Sequence, residues 1–487
     1  MKWIKVAAGG LVLVAVGAAG TAAAALHGTP DPVTTGRSWV PPGVAGTSVT
    51  SSPAAVPPPS ASASPSSSRT TGTPAGNPYA AGAVIADITV DPGPDPVFAR
   101  DADLRRTETY TYRFSTVGDH RLAPGTFAFP YDVTTGALKA RLAERKADLA
   151  AATGIALYLT GGTALGDADL RALQGVHRDL GLTNLSRLYV YNLRTVAGGN
   201  ECTPSSGLAC AGQTARGGTF PYLWFNGWWD TWVKHLVLDD LIDVPDGAFS
   251  NHTFTDVSLR AARSIGVMAF GHGPRARLSV LYLPSVRTIA RDAFRRNQYL
   301  TKVNLPRATT IADFAFDDAS RLRYLTALQL ERIGRNALND SHALVSVNLP
   351  NLRYMGINCF DLNHALTGLR LPALTELDKN AIIRFDNLRW LYAPRLSTAR
   401  HDSITSNPKL NAVHLPKIVH LGPRALAGNP ALTRINLGDQ PPRQDSDVFA
   451  GTDQATIYHT GTAAAWAGFV PAGNPSLPIR ARSYESR

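Results

Sequence analysis

A chain of 487 residues with 44% hydrophobic content has ample material for a large core, and it carries only three cysteines. Two of them, Cys202 and Cys210, lie in one loop with no histidine or further cysteine nearby, too few ligands for a metal site. The formal net charge of +11 suits either an anionic partner or plain solubility.

In chain order, residues 1–26 begin with Lys2 and Lys5, run on through apolar residues and end in small ones at 22–25. That pattern predicts a secretory signal. The apolar run of about 21 residues is also long enough to cross a bilayer, so the alternative is a retained N-terminal anchor, the one route to a membrane. No cysteine follows it, against a bacterial lipoprotein, and 480–487 lacks the apolar tail of a wall-sorting or lipid-anchor signal. Residues 27–84 are rich in Pro, Ser, Thr, Gly and Ala, with Pro57, Pro58 and Pro59 in a row and a serine tract at 60–68. This composition predicts a disordered linker, either a stalk that clears a cell wall or a plain spacer.

Residues 85–232 are not repetitive. A strand is expected at 109–115, then a helix over 135–153 with Leu138, Leu142 and Leu149 on one side and Gly154 as its stop. A strand at 155–159, a helix at 167–180 closed by Gly181 and a strand at 185–191 complete a β-α-β arrangement. This region is expected to cap the N-terminal end of the repetitive part of the chain, which starts at 233. A disulfide between Cys202 and Cys210 is expected in an oxidising compartment. Trp224, Trp228, Trp229 and Trp232 crowd the end of the region. They suit an apolar plug against the first repeat, and alternatively a carbohydrate platform.

From 233 to 454 the sequence repeats about every 22 residues. One position runs Phe249, Phe270, Phe294, Phe316, Leu338, Phe360, and then Ile382, Ile404, Leu426 and Phe449. A fixed period in the twenties means a solenoid, in which each unit buries its apolar face only against its neighbours. Each unit opens with apolar residues at offsets 0, 3 and 5, then commonly Pro, as in Leu300, Val303, Leu305 and Pro306. The alternation predicts a short one-sided strand that proline ends. Two more apolar positions and an Ala-Phe pair follow, small Ala allowing close approach and the ring filling the interior. Three residues beyond the ring stand Asn297, Ser341, Asn363, Asn407 and Asn429, placed to bond turn backbone of their own or a neighbouring coil. Cys359 takes the Ala position of the pair and is expected to be a buried free thiol. A closing strand at 455–458 and a plug at Trp466 are expected within a C-terminal cap and tail, 455–487.

The pattern Leu-x-x-Val-x-Leu-Pro-x-x-x-x-Ile-x-x-x-Ala-Phe, nearly intact over 300–316, resembles the BspA-like class of leucine-rich repeats found in bacterial surface proteins. The resemblance covers roughly 233–460. It implies a leucine-rich-repeat solenoid with a parallel β-sheet on its concave side, and it implies adhesion. The chain departs from the family in carrying Asn, Ser or Ala after the ring where members often have Cys, and the units near Ala399 and Ser403 are degenerate.

In that fold the residues at offsets 2 and 4 face outward from the concave sheet. Those positions, with Arg389, put Arg370, Arg389, Trp390, Tyr392, His414 and Arg434 on four neighbouring strands, a candidate ligand-binding patch roughly 15 Å across. Aromatic residues beside arginine carry interface hot spots and stack on sugars. Trp224, Trp228 and Trp229 are a secondary candidate. No nucleophile elbow, paired-histidine zinc motif, P-loop, dinucleotide fingerprint or Ca²⁺ loop occurs. The aspartate pairs Asp239-Asp240 and Asp317-Asp318 fall in repeat turns, where capping is the usual role, and most of the histidines read as surface residues. Residues 251–460 carry about 26 basic against about 16 acidic residues, roughly +10 of the total.

These features predict an exported, non-catalytic binding protein at the cell surface or outside the cell, an adhesin or interaction module for a protein or glycan. No cofactor, metal or specific nucleic-acid partner is expected. The alternative is a structural wall-associated protein held by anionic cell-wall polymers. An exoenzyme with its site in 85–232 is a third reading without a positive signal.

Overall fold

The structure, a computed structural model, describes residues 84–90, 108–113, 122–196, 232–272 and 275–481. The signal, most of the linker, Cys202 and Cys210, and Trp224, Trp228 and Trp229 lie outside the described residues.

Every coil of the array contributes a front strand of three or four residues and a rear strand of two. Lys302–Asn304 and Thr310–Ile311 are one such pair. Successive strands are parallel and in register one period apart, as Val303 pairs with Leu325 and Ile311 with Ile333. The fixed period of the sequence is thus the fixed register of the sheet. The rear strands form one ten-stranded sheet from Asp243–Val244 to Arg443–Gln444. The front strands fall into three sheets of five, four and six strands.

Inside the coils, the ring positions from Phe249 to Phe449 are all fully buried. Phe270, Phe294 and Phe316 stack with centroids 5.1 and 5.3 Å apart and planes within 5°. Each such ring contributes about 1.5–3 kcal/mol by leaving water. The asparagines three residues on satisfy the turns around them. Asn297 donates to the carbonyls of Phe270 (2.7 Å) and Phe294 (3.0 Å), and Asn429 to those of Ile404 and Leu426. Ser341 differs from expectation: its buried hydroxyl makes no hydrogen bond, although Thr452 at the same offset donates to Phe449 O at 2.6 Å. Cys359 is a buried free thiol as expected, and burial pushes its pKa up.

Two corners of each coil adopt the left-handed conformation, two residues before the ring and two after it. Asp292 and Arg296 flank Phe294, and Phe314 and Asp318 flank Phe316. Asn, Asp and Gly hold most of these positions because they tolerate positive φ. At most corners the N–H bonds a carbonyl of the next coil, Phe314 N to Arg335 O at 2.8 Å and Asp318 N to Asn339 O at 3.0 Å. Asp317 also links coils, accepting from Arg295 and Asn339. Asp239 accepts from Ser258 and from the Arg260 backbone. These aspartates therefore serve turns.

The N-terminal region shares its sheet with the solenoid. Thr126–Asp132, Gly154–Thr160 and Arg187–Tyr191 run parallel and continue through His235–Val237 to Asp256–Ser258. The strand expected at 109–115 is Glu108–Arg113, paired antiparallel with Val84–Val90. Two expectations are corrected. The helix over 135–153 is broken into Leu138–Glu144 and Lys146–Ala150 at Arg145, after a 3-10 turn at Val133–Thr135. Gly154 is not its stop but the first residue of the next strand. A Cβ there would lie 2.9 Å from that of Arg187 and 3.0 Å from the Thr126 hydroxyl, so only glycine fits between the flanking strands. The helix expected at 167–180 breaks at Gly175 into Asp167–Gln174 and Val176–Leu180, and Gly181 closes it at φ 70°.

At the other end the closing strand is Thr456–His459. Trp466 is buried, stacked on His459 (4.5 Å) and donating to Asp439 O. One further strand, Ile479–Ala481, pairs beyond it, so the sheet runs one coil past the expected closing strand.

Candidate binding surface

Strand register turns the outward positions of the repeat into rows. Gly368, Trp390, Ala412 and Arg434 are successive partners in one row. Arg370, Tyr392 and His414 are partners in the next. Five of the six candidate residues thus share one sheet face on four adjacent strands. Arg389 lies just before the strand Trp390–Tyr392, exposed at its leading edge, its N–H bonded to Thr367 O at 2.8 Å.

The chemistry of the face follows from its small residues. A methyl on Gly368 would stand 2.2 Å from the Trp390 indole. The ring therefore lies across the neighbouring strand, over the place a side chain would occupy. Trp390 and Tyr392 also pack on Ala412, which is 5% exposed. In the adjoining row the Arg370 guanidinium sits 4.8 Å from the centre of the Tyr392 ring. Tyr392 and His414 stack at 5.1 Å with planes 6° apart. Arg434 approaches the ring of Tyr458 at 6.0 Å. The result is an aromatic shelf: one indole laid over Gly368 beside a stack in which Arg370 and His414 pack on the Tyr392 ring, with further guanidinium groups beside it. It can stack on a sugar ring or seat an apolar side chain, and it can pair with carboxylates.

Of the tryptophan cluster, only Trp232 lies within the described residues. It is 2% exposed and donates to Leu173 O at 2.6 Å, against the last helices of the N-terminal region. That is a packing role.

Two surfaces are not apparent from the sequence alone. Tyr158, Tyr189 and Tyr191 form a ladder on the N-terminal sheet, with Tyr158 and Tyr191 stacked at 4.8 Å. Burial, and next the neighbouring Tyr158, push the Tyr191 pKa up to about 12. The period-two spacing of 189 and 191 is the one signal of it in the sequence. On the rear sheet, Gly334 and Gly356 leave a groove of about 440 Å³ between Asp313, Arg332, Arg335 and Tyr354. Tyr354 donates to Asp378 (2.7 Å) under the Arg332 guanidinium. Among the described residues no three His, Cys, Asp or Glu side chains are placed to hold a metal ion, and no helix is long and apolar enough to cross a membrane.

Residues 263–389 match the family described as BspA type Leucine rich repeat region, in six copies. Residues 263–389 are thus BspA-type leucine-rich repeats. Among solved structures the chain is similar to a leucine rich cell surface protein from Faecalibacterium prausnitzii A2-165, at 16% identity over 52% of this chain and 88% of that one, TM-score 0.26. It is also similar to the pneumococcal vaccine antigen PcpA (14% identity, 68% and 79% covered, TM-score 0.30). An internalin (inlF) from Listeria monocytogenes matches at 12% identity over 67% and 94%, TM-score 0.24. No curated protein matches the chain in sequence.

Proposed function

We propose that this chain is an exported, non-catalytic binding protein that recognises an extracellular protein or glycan through its front sheet at Arg370, Arg389, Trp390, Tyr392, His414 and Arg434. The carrying observation is the Trp390 indole laid over Gly368 beside the Arg370–Tyr392–His414 stack. Such an ordered aromatic face suits contact more than chemistry. The repeat family and the signal-like 1–26 support a place at the cell surface.

The test is binding of the purified chain to arrays of glycans, wall polymers and matrix proteins at low and high salt, beside the Trp390→Ala/Tyr392→Ala variant. The reading expects a few targets that survive salt and are lost at least about tenfold in the variant. Broad, salt-abolished binding to anions that the variant retains would replace it with wall association.

A further inference from the structure

The charge of the array is not spread evenly around the coil. The segments 277–282, 299–304, 321–326 and 343–348, which lead into and form the four-stranded front sheet, contain Arg277, Lys302, Arg321 and Arg323 and no Asp or Glu. The next four equivalent segments add Arg370, Arg389, Lys409 and Arg434, again without a carboxylate. From Lys302 onward the acids sit instead at corners and on the rear, where many pair with arginines of their own or neighbouring coils, while on the front Asp256 pairs with His235. Arg295 bonds Asp317 at 2.8 Å, Arg400 bonds Glu376 at 2.7 Å and Arg424 bonds Asp402 at 3.0 Å. The excess positive charge therefore emerges on the front.

At the edge of the four-stranded sheet the cations are held by a ring. Arg277 lies 4.2 Å and Arg321 4.6 Å from the centre of Tyr299, whose coil is the one between theirs. Both arginines are exposed. Stacking uses the faces of the guanidinium groups and leaves their N–H edges to donate. Two strand spacings separate the arginines, about 10 Å. Arg323 rests against Tyr324 in the same manner at 5.6 Å, and Lys302 stands between them on the middle strand.

We propose that this face, separate from the aromatic shelf, binds a linear acidic polysaccharide, with Arg277 and Arg321 gripping successive carboxylates along the chain. Charge complementarity selects a polyanion. The aromatic residues select against single-stranded nucleic acid, which needs open ring faces for its bases; both sides of Tyr299 are taken by guanidinium groups. Arg277 and Arg321, held two strands apart with Lys302 on the strand between, suit a polymer that carries its carboxylates at intervals along the chain.

The probe is hyaluronan, which bears one carboxylate per disaccharide, titrated into the full chain by calorimetry at two salt concentrations, with poly-dT as the competing polyanion. Arg277→Ser/Arg321→Ser should weaken hyaluronan about tenfold while leaving the melting temperature unchanged. The rear-face variant Arg287→Ser/Arg353→Ser, with the same loss of charge at exposed positions, should bind as wild type. Loss of hyaluronan binding in Trp390→Ala/Tyr392→Ala but not in Arg277→Ser/Arg321→Ser would assign it to the aromatic shelf and overturn the proposal. Equal losses in the front and rear variants, no binding by wild type, or tighter binding of poly-dT through the same arginines would each overturn the proposal.

Discussion

His252 occupies, in its coil, the place that asparagine holds in four others, three residues beyond the buried ring. Its Nδ1 accepts from Phe254 N, so Nε2 carries the proton and donates to Asn297 Oδ1 at 3.2 Å. Burial, opposed by that bond, drives its pKa from 6.5 down to about 3. Above pH 6.5 both folded and unfolded chains keep this imidazole neutral. Below it only the unfolded chain takes up the proton, so stability falls by about 1.4 kcal/mol per pH unit down to about pH 3. Urea midpoints at pH 7, 5 and 4 should converge less steeply for His252→Gln than for wild type. Asn429→Ala should cost about 2–3 kcal/mol in the same assay, since it strands the buried carbonyls of Ile404 and Leu426 and the N–H of Asn407. The asparagine positions were legible because they recur at one offset. His252 was not, because a histidine among asparagines carries no period, and only its burial distinguishes it from the surface histidines.

Coils were legible as elements because each is closed by local pattern alone: a one-sided strand, a proline, a ring. Helices in the N-terminal region were placed correctly and bounded poorly. Apolar spacing continues through Arg145 and Gly175, where the backbone breaks, and Gly154 reads as a stop until its flanking strands are known. The paired left-handed corners were invisible for a related reason: Phe314 and Arg296 adopt them against their own preference, held by bonds to the next coil. Arg296 is exposed, so Arg296→Gly should gain roughly 0.5–1 kcal/mol in thermal unfolding by removing the Cβ strain. On the front sheet, Gly368→Ala should lift the Trp390 indole off its strand. Its emission should shift and target binding should weaken, with little change in melting temperature.

Across the whole molecule, one period converts a sequence column into a surface row, which is why five of the six candidate residues could be placed on one sheet face from the sequence. The tyrosine ladder at 158, 189 and 191 and the Tyr299 sandwich needed the fold: the first lies in a region without a period, the second joins residues three coils wide through ring faces. Stability should likewise be nearest-neighbour in character. Trp466→Ala should raise amide exchange in Thr456–His459 and Arg434–Leu437 while leaving Lys302–Asn304 protected, measured by mass spectrometry.

The in-register stacking has a metric consequence. The cationic edge around Tyr299 and the shelf around Trp390 are separated by a whole number of coils, and any change in that number moves them in steps of one strand spacing, about 4.8 Å. A 22-residue coil inserted between Asn348 and Gly368 would leave both surfaces intact and shift one against the other by a single graduation. The array is in this sense a ruler graduated in strand spacings.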